Sequence, residues 1–154
     1  MTFDKETIYA LATDKSVKPP NSGLYRSYDC KNWELLREFG VLVAKDILIQ
    51  PANQSKIIYV NGLDSLHVSK NEHTWERIDF TLGAYVNFDI LAVDPSNPGT
   101  IYFSMIKSID GGKTWQDIFA PKLFKDVYIA DMAIDPYDQN ILYAAIYKYG
   151  ILKT

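Results

Sequence analysis

The chain has 154 residues, a formal net charge of −3 and one cysteine. That length fits one domain spanning residues 1–154, the 47% hydrophobic content excludes wholesale disorder, and the acidic balance argues against nucleic-acid binding, which needs a basic face. A single cysteine forms no internal disulfide, and neither a secretory leader nor a membrane-spanning apolar run is seen, so a soluble, cytoplasmic protein with no membrane partner is expected.

Taken in chain order, the predicted elements are short strands. Aromatic residues make up 14% of the chain, which favours strands over helices. Ile8-Tyr9 marks the first strand. Residues 13–23, with Pro19-Pro20, read as a polar inserted loop. A strand over residues 24–27 leads into Ser27-Tyr28-Asp29-Cys30-Lys31-Asn32-Trp33, and another strand starts at the tryptophan. Ile47-Leu48-Ile49-Gln50-Pro51 opens a second unit, followed by Ile58-Tyr59 and by Ser69-Lys70-Asn71-Glu72-His73-Thr74-Trp75. Leu91-Ala92-Val93-Asp94-Pro95, Ile101-Tyr102 and Ser108-Ile109-Asp110-Gly111-Gly112-Lys113-Thr114-Trp115 repeat the order a third time. Met132-Ala133-Ile134-Asp135-Pro136 and Leu142-Tyr143 begin a fourth, with Thr154 at the serine position.

Three markers thus recur in one order. The tryptophans are 42 and 40 residues apart, the prolines 44 and 41. Four short strands every forty-odd residues predict an all-β chain and, within that class, a β-propeller of about four blades. The first unit shows three strands, the middle two show four each, and the last shows three, so the terminal blades are expected to be incomplete. Four imperfect blades then close a small ring alone, or two chains each supply half of a larger one. Association is favoured, because an unpaired strand edge invites pairing. A third alternative is a piece of a longer product.

The stretch from Ser108 to Trp115 resembles the Asp-box, or BNR repeat, with the pattern Ser-x-Asp-x-Gly-x-Thr-Trp. Asp94-Pro95-Ser96-Asn97-Pro98-Gly99-Thr100-Ile101-Tyr102 is similar to the segment preceding such boxes in xyloglucan-cleaving glycoside hydrolases, sialidases, sortilin-type receptors and photosystem assembly factors. The third box carries the full pattern through Ser108, Asp110, Gly112, Thr114 and Trp115. The first keeps Ser27, Asp29 and Trp33 but has Lys31 at the expected glycine. The second keeps Ser69 and Trp75, with Asn71 for aspartate and His73 for glycine. The resemblance implies a propeller whose boxes are structural turns lying away from the ligand face. It implies a fold and not an activity.

The same architecture assigns the remaining connectors to the ligand face. Its candidates are Asp46, Tyr85, Phe88, Lys125, Tyr128, Tyr147 and Tyr149. Aromatic rings beside lysines suit a glycan or a peptide. Asp89 and Asp131 resemble the catalytic aspartates of xyloglucan-cleaving propellers, and glycoside hydrolysis needs two carboxylates. Those enzymes use two propellers across a cleft, and a structural role for these aspartates is the expectation. Sialidase chemistry needs an arginine triad with a tyrosine nucleophile and a glutamate. The chain has only Arg26, Arg37 and Arg77, and lacks the Phe-Arg-Ile-Pro segment. His67, His73 and Cys30 show no metal-binding spacing, so neither metal nor cofactor is expected. The expected function is a non-enzymatic binding or assembly module that recognises a protein or glycan, as a homo-oligomer. The alternative is a glycoside hydrolase or a degenerate remnant of one.

Overall fold

A computed structural model describes residues 2–3, 7–16, 21–40, 44–52, 55–62, 65–79, 90–118 and 128–154. The described residues are all-β: fifteen strands in four small antiparallel sheets, with no helix among them and hence none long and apolar enough to cross a membrane.

The first sheet runs β1 (Thr2–Phe3), β2 (Ile8–Asp14), β3 (Asn21–Ser27), β4 (Glu34–Glu38). The second runs β5 (Asp46–Ala52), β6 (Ser55–Asn61), β7 (Ser65–Ser69), β8 (Glu76–Asp79). The third holds β9 (Leu91–Val93), β10 (Ile101–Phe103), β11 (Ile106–Ser108) and β12 (Gln116–Asp117). The last has three strands, β13 (Ile129–Ile134), β14 (Leu142–Ile146) and β15 (Gly150–Lys153). Each sheet is a meander in chain order, because every connection is a hairpin-length turn.

Three features differ from the sequence expectation. The first sheet has a fourth strand, since Thr2–Phe3 pairs with β2; two residues are too short to show a period. Within the span read as a loop, Thr13, Asp14 and Asn21 to Gly23 are strand residues, with pairing that continues to Asp14 opposite Asn21. The hydroxyls of Thr13 and Ser22, 2.9 Å apart, tie its polar end across the strands. Finally, the fourth strand begins one residue after each tryptophan, at Glu34, Glu76 and Gln116. The repeating tyrosine falls on the second strand of every sheet, as expected.

The chain divides into two compact units, Met1–Asp79 and Phe80–Thr154. In the first unit, Tyr9 and Leu24 of the first sheet bury against Ile47, Ile58 and Val60 of the second, with Leu11, Leu36 and Phe39 packed around them. Alternation along β2 and β3 turns Ile8, Ala10 and Tyr25 to the opposite side. In the second unit, Tyr102 and Ala92 of the third sheet meet Met132, Leu142, Ala144 and Ile146 of the fourth. The two units therefore share one packing rule. The second-strand tyrosine of the leading sheet is buried by the sheet that follows it.

The connector from Asp94 to Gly99 makes the third sheet's turn. Asp94 Oδ1 accepts from Ser96 N and Oγ at 2.8 and 2.7 Å, and Gly99 O accepts from Gly111 N at 2.9 Å. A Cβ at Gly99 would lie 2.9 Å from the backbone oxygen of Ile109. Gly99→Ala is therefore expected to cost about 1–3 kcal/mol, because backbone must shift to admit the methyl. A urea midpoint unchanged in that variant would contradict the close approach.

Candidate functional site

The three box turns share one bonding scheme. Asp110 Oδ1 accepts from Lys113 N at 3.0 Å and Thr114 N at 2.9 Å, and Oδ2 accepts from the Thr114 hydroxyl at 2.6 Å. Ser108 Oγ donates to Asp110 at 2.8 Å and accepts from Gly112 N at 2.8 Å. Asp29 accepts from Lys31 N and Asn32 N, both at 2.8 Å. Asn71 Oδ1 accepts from His73 N at 3.0 Å and Thr74 N at 2.8 Å. The indole N–H of Trp75 donates to Glu72 O, and that of Trp115 to Gly112 O. These side chains spend their hydrogen-bonding capacity on their own turns, satisfying N–H groups that the hairpin leaves unpaired.

The same bonds set the charge. Backbone N–H groups of Asn32 and Lys31 lower Asp29 from 3.8 to about 2. The hydroxyl and N–H of Thr114 hold Asp110 well below the usual carboxylate range. Both stay ionised at neutral pH, and neither is a general acid there. A depressed folded-state pKa contributes stability that is present above the unfolded value and is lost as pH falls through the folded one. The melting temperature is therefore expected to drop as pH falls from about 4 towards about 2. Replacing Asp29 and Asp110 together by asparagine should flatten that profile while keeping the turns, since Asn71 already makes such a turn with an amide. A wild-type profile that is flat over this window would contradict the assignment.

The turns also hold a residue in left-handed backbone. Cys30, Glu72 and Gly112 have φ of 61°, 68° and 92°, and each stands three residues before its tryptophan. The sequence reading placed the glycine position at Lys31 and His73; the structure places it at Cys30 and Glu72. Counting back from the tryptophan, not forward from the serine, finds it.

Glu72 is the functional group that sequence reasoning missed. Its side chain is buried, and it accepts from the Tyr9 hydroxyl and from Arg26 Nη1, with Lys56 Nζ at 3.1 Å. Arg26 also pairs with Glu34 at 2.6 Å, and Lys56 Nζ lies 4.9 Å from the Tyr9 ring centre. Burial pushes the Glu72 carboxyl up, but the bonds from Tyr9 and Lys56 and the charges of Lys56 and Arg26 outweigh it and hold the group below its ordinary value. Burial, then the bond to Glu72, pushes Tyr9 up to about 12. Tyrosine, glutamate and arginine are the residue types of sialidase chemistry, yet Tyr9 is wholly buried and its phenolate is not available at neutral pH. Arg26 is occupied by two carboxylates. The cluster ties the first sheet to the turn of the second.

Of the other candidates, Asp46 and Asp131 behave alike. Each is exposed and accepts from the next backbone N–H, Ile47 or Met132, at 2.8 Å. Asp46 begins β5, as expected, whereas Asp131 is the third residue of β13, beside a bulge. Asp89, Tyr85, Phe88 and Lys125 lie outside the described residues. Tyr128 and Tyr147 are joined through the backbone, and Tyr149 lies in the same hairpin as Tyr147. Tyr147 N donates to Tyr128 O at 2.9 Å, and Tyr149 N to Ile146 O at 3.0 Å, around the hairpin joining β14 and β15. Their exposures are 41%, 62% and 68%, and Lys148 Nζ lies 5.4 Å from the Tyr147 ring centre. Among the described residues, no group of three His, Cys, Asp or Glu converges as a metal site.

No protein-family model matches this chain, and no curated protein matches it.

Proposed function

We propose that the protein is a non-enzymatic β-propeller module with Asp-box turns, its four sheets serving as blades, that binds a protein or glycan and assembles with its own kind. The observation that carries the binding role is the exposed set of Tyr147, Lys148 and Tyr149 on the β14–β15 hairpin, with exposed Tyr128 bonded to it through its backbone oxygen. Tyrosine presents a rigid apolar face with a polar tip, which suits a sugar ring or a peptide backbone at small entropic cost. Against catalysis stand the aspartates of the turns, each committed to backbone N–H groups.

A glycan array run beside a chromogenic-glycoside screen tests this. Binding that disappears in Tyr147→Ala/Tyr149→Ala, with an unchanged circular dichroism spectrum and no turnover, is the expected result. Glycoside turnover by the wild type that disappears in Asp131→Asn would overturn it in favour of a hydrolase.

A further inference from the structure

We propose that the Tyr143 face of the last sheet docks against the back of the first sheet of a second copy of this chain. This rests on reading the four sheets as successive blades. The starting observation is a row of three side chains that occurs twice. In the third sheet Ala92, Tyr102 and Lys107 stand opposite one another on adjacent strands, and Lys107 Nζ lies 5.0 Å from the Tyr102 ring centre. In the fourth sheet Ala133, Tyr143 and Lys153 do the same, with Lys153 Nζ at 5.9 Å from the Tyr143 ring. The first row is covered: Tyr102 is 3% exposed beneath the fourth sheet. The second is half open, and Ile151 beside it is 74% exposed.

What covers the first row indicates what fits the second. Leu142, Ala144 and Leu152 of the fourth sheet pack over Tyr102. Leu142 and Ala144 flank the tyrosine of β14, and Leu152 stands across from Ala144. In the first sheet, Ile8 and Ala10 flank Tyr9 in the same way, and Tyr25 stands across from Ala10, continued by Leu35 on β4. Leu142 and Ala144 are fully buried, whereas Ile8, Ala10 and Tyr25 are only partly buried and Leu35 is exposed. The back of the first sheet therefore carries a like covering surface that is left partly open among the described residues. Glu38 lies in the hollow beside Gly23 and Tyr25, an acidic margin complementary to Lys153. The fit is head to tail, and it closes with two copies when each supplies half of the ring.

Size supports closure. A face of three strands, each five residues long, measures roughly 14 by 17 Å, about 240 Å². One joint buries two such faces and is too small to persist, whereas two joints bury roughly 1,000 Å², the lower bound of a specific interface.

Sedimentation equilibrium of the full chain at micromolar concentration is the test. The wild type is expected at twice 17.6 kDa. Ile151→Glu and Leu35→Glu are each expected to halve that mass with unchanged circular dichroism. An equimolar mixture of the two variants keeps one intact joint, too small to persist, and should stay at the mass of a single chain. In wild-type protein, carbodiimide cross-links between first-sheet and fourth-sheet peptides should join isotopically distinct copies, a readout that needs no variant to fold. A monomeric wild type overturns the proposal. So does a dimer that survives Ile151→Glu, or one that Leu35→Glu leaves intact, which would mean like faces pairing. A monomer that still binds its ligand on the array would remove the joint and leave the binding module standing.

Discussion

Replacing Glu72 by alanine is expected to lower the stability of the first unit by about 3 kcal/mol, the lower end of the range for breaking a buried ion pair from one side. The loss arises because Arg26 and Lys56 stay behind with their charges only partly solvated; their side chains are 18% and 24% exposed. The Tyr9 hydroxyl, in a fully buried residue, loses its acceptor as well. A second variant separates side chain from backbone. Glu72 has a φ of 68°, a conformation that alanine resists and glycine accepts. Glu72→Gly should therefore retain about 1 kcal/mol more stability than Glu72→Ala. Chemical denaturation of both variants measures this difference. A loss below about 1 kcal/mol in Glu72→Ala would show that the carboxylate is not the link between the two sheets.

The second large effect separates two tyrosines in equivalent places. Tyr102→Ala is expected to cost about 3–5 kcal/mol, because a large buried side chain leaves a cavity that its neighbours fill only in part. Tyr143→Ala in dilute solution should shift the urea midpoint far less, because solvent already reaches that ring. It also holds a bond to Asp135 at 3.1 Å and lies beside the Lys153 ammonium. Equal losses in the two variants, read from urea midpoints, would contradict the packing rule that assigns one tyrosine a covering sheet and not the other.

The sequence made the periodic features visible and left the coupled ones hidden. Tyr9, Tyr59, Tyr102 and Tyr143 recur at one position because each second strand uses the same alternation of faces, and such a constraint repeats in the sequence. The same holds for Trp75 and Trp115, whose indoles close equivalent turns. Glu72 holds the glycine position only when the count runs back from the tryptophan, so the sequence reading, which put that position at His73, passed over it. Its meaning lies in Tyr9 and Arg26, 63 and 46 residues away, which no local pattern connects. β1 escaped for a different reason. A two-residue strand owes its place to pairing with β2 and carries no period of its own. The exposed tyrosines were legible as candidates, but the backbone bond that joins Tyr147 to Tyr128 depended on the hairpin geometry.

A crystal structure of the full chain tests the propeller most directly, through the rotation that relates each sheet to the next. Four sheets turning about one axis, with β1, β5, β9 and β13 innermost, is the predicted result. Two separate sandwiches with those strands at their outer edges, and no common axis, would contradict it.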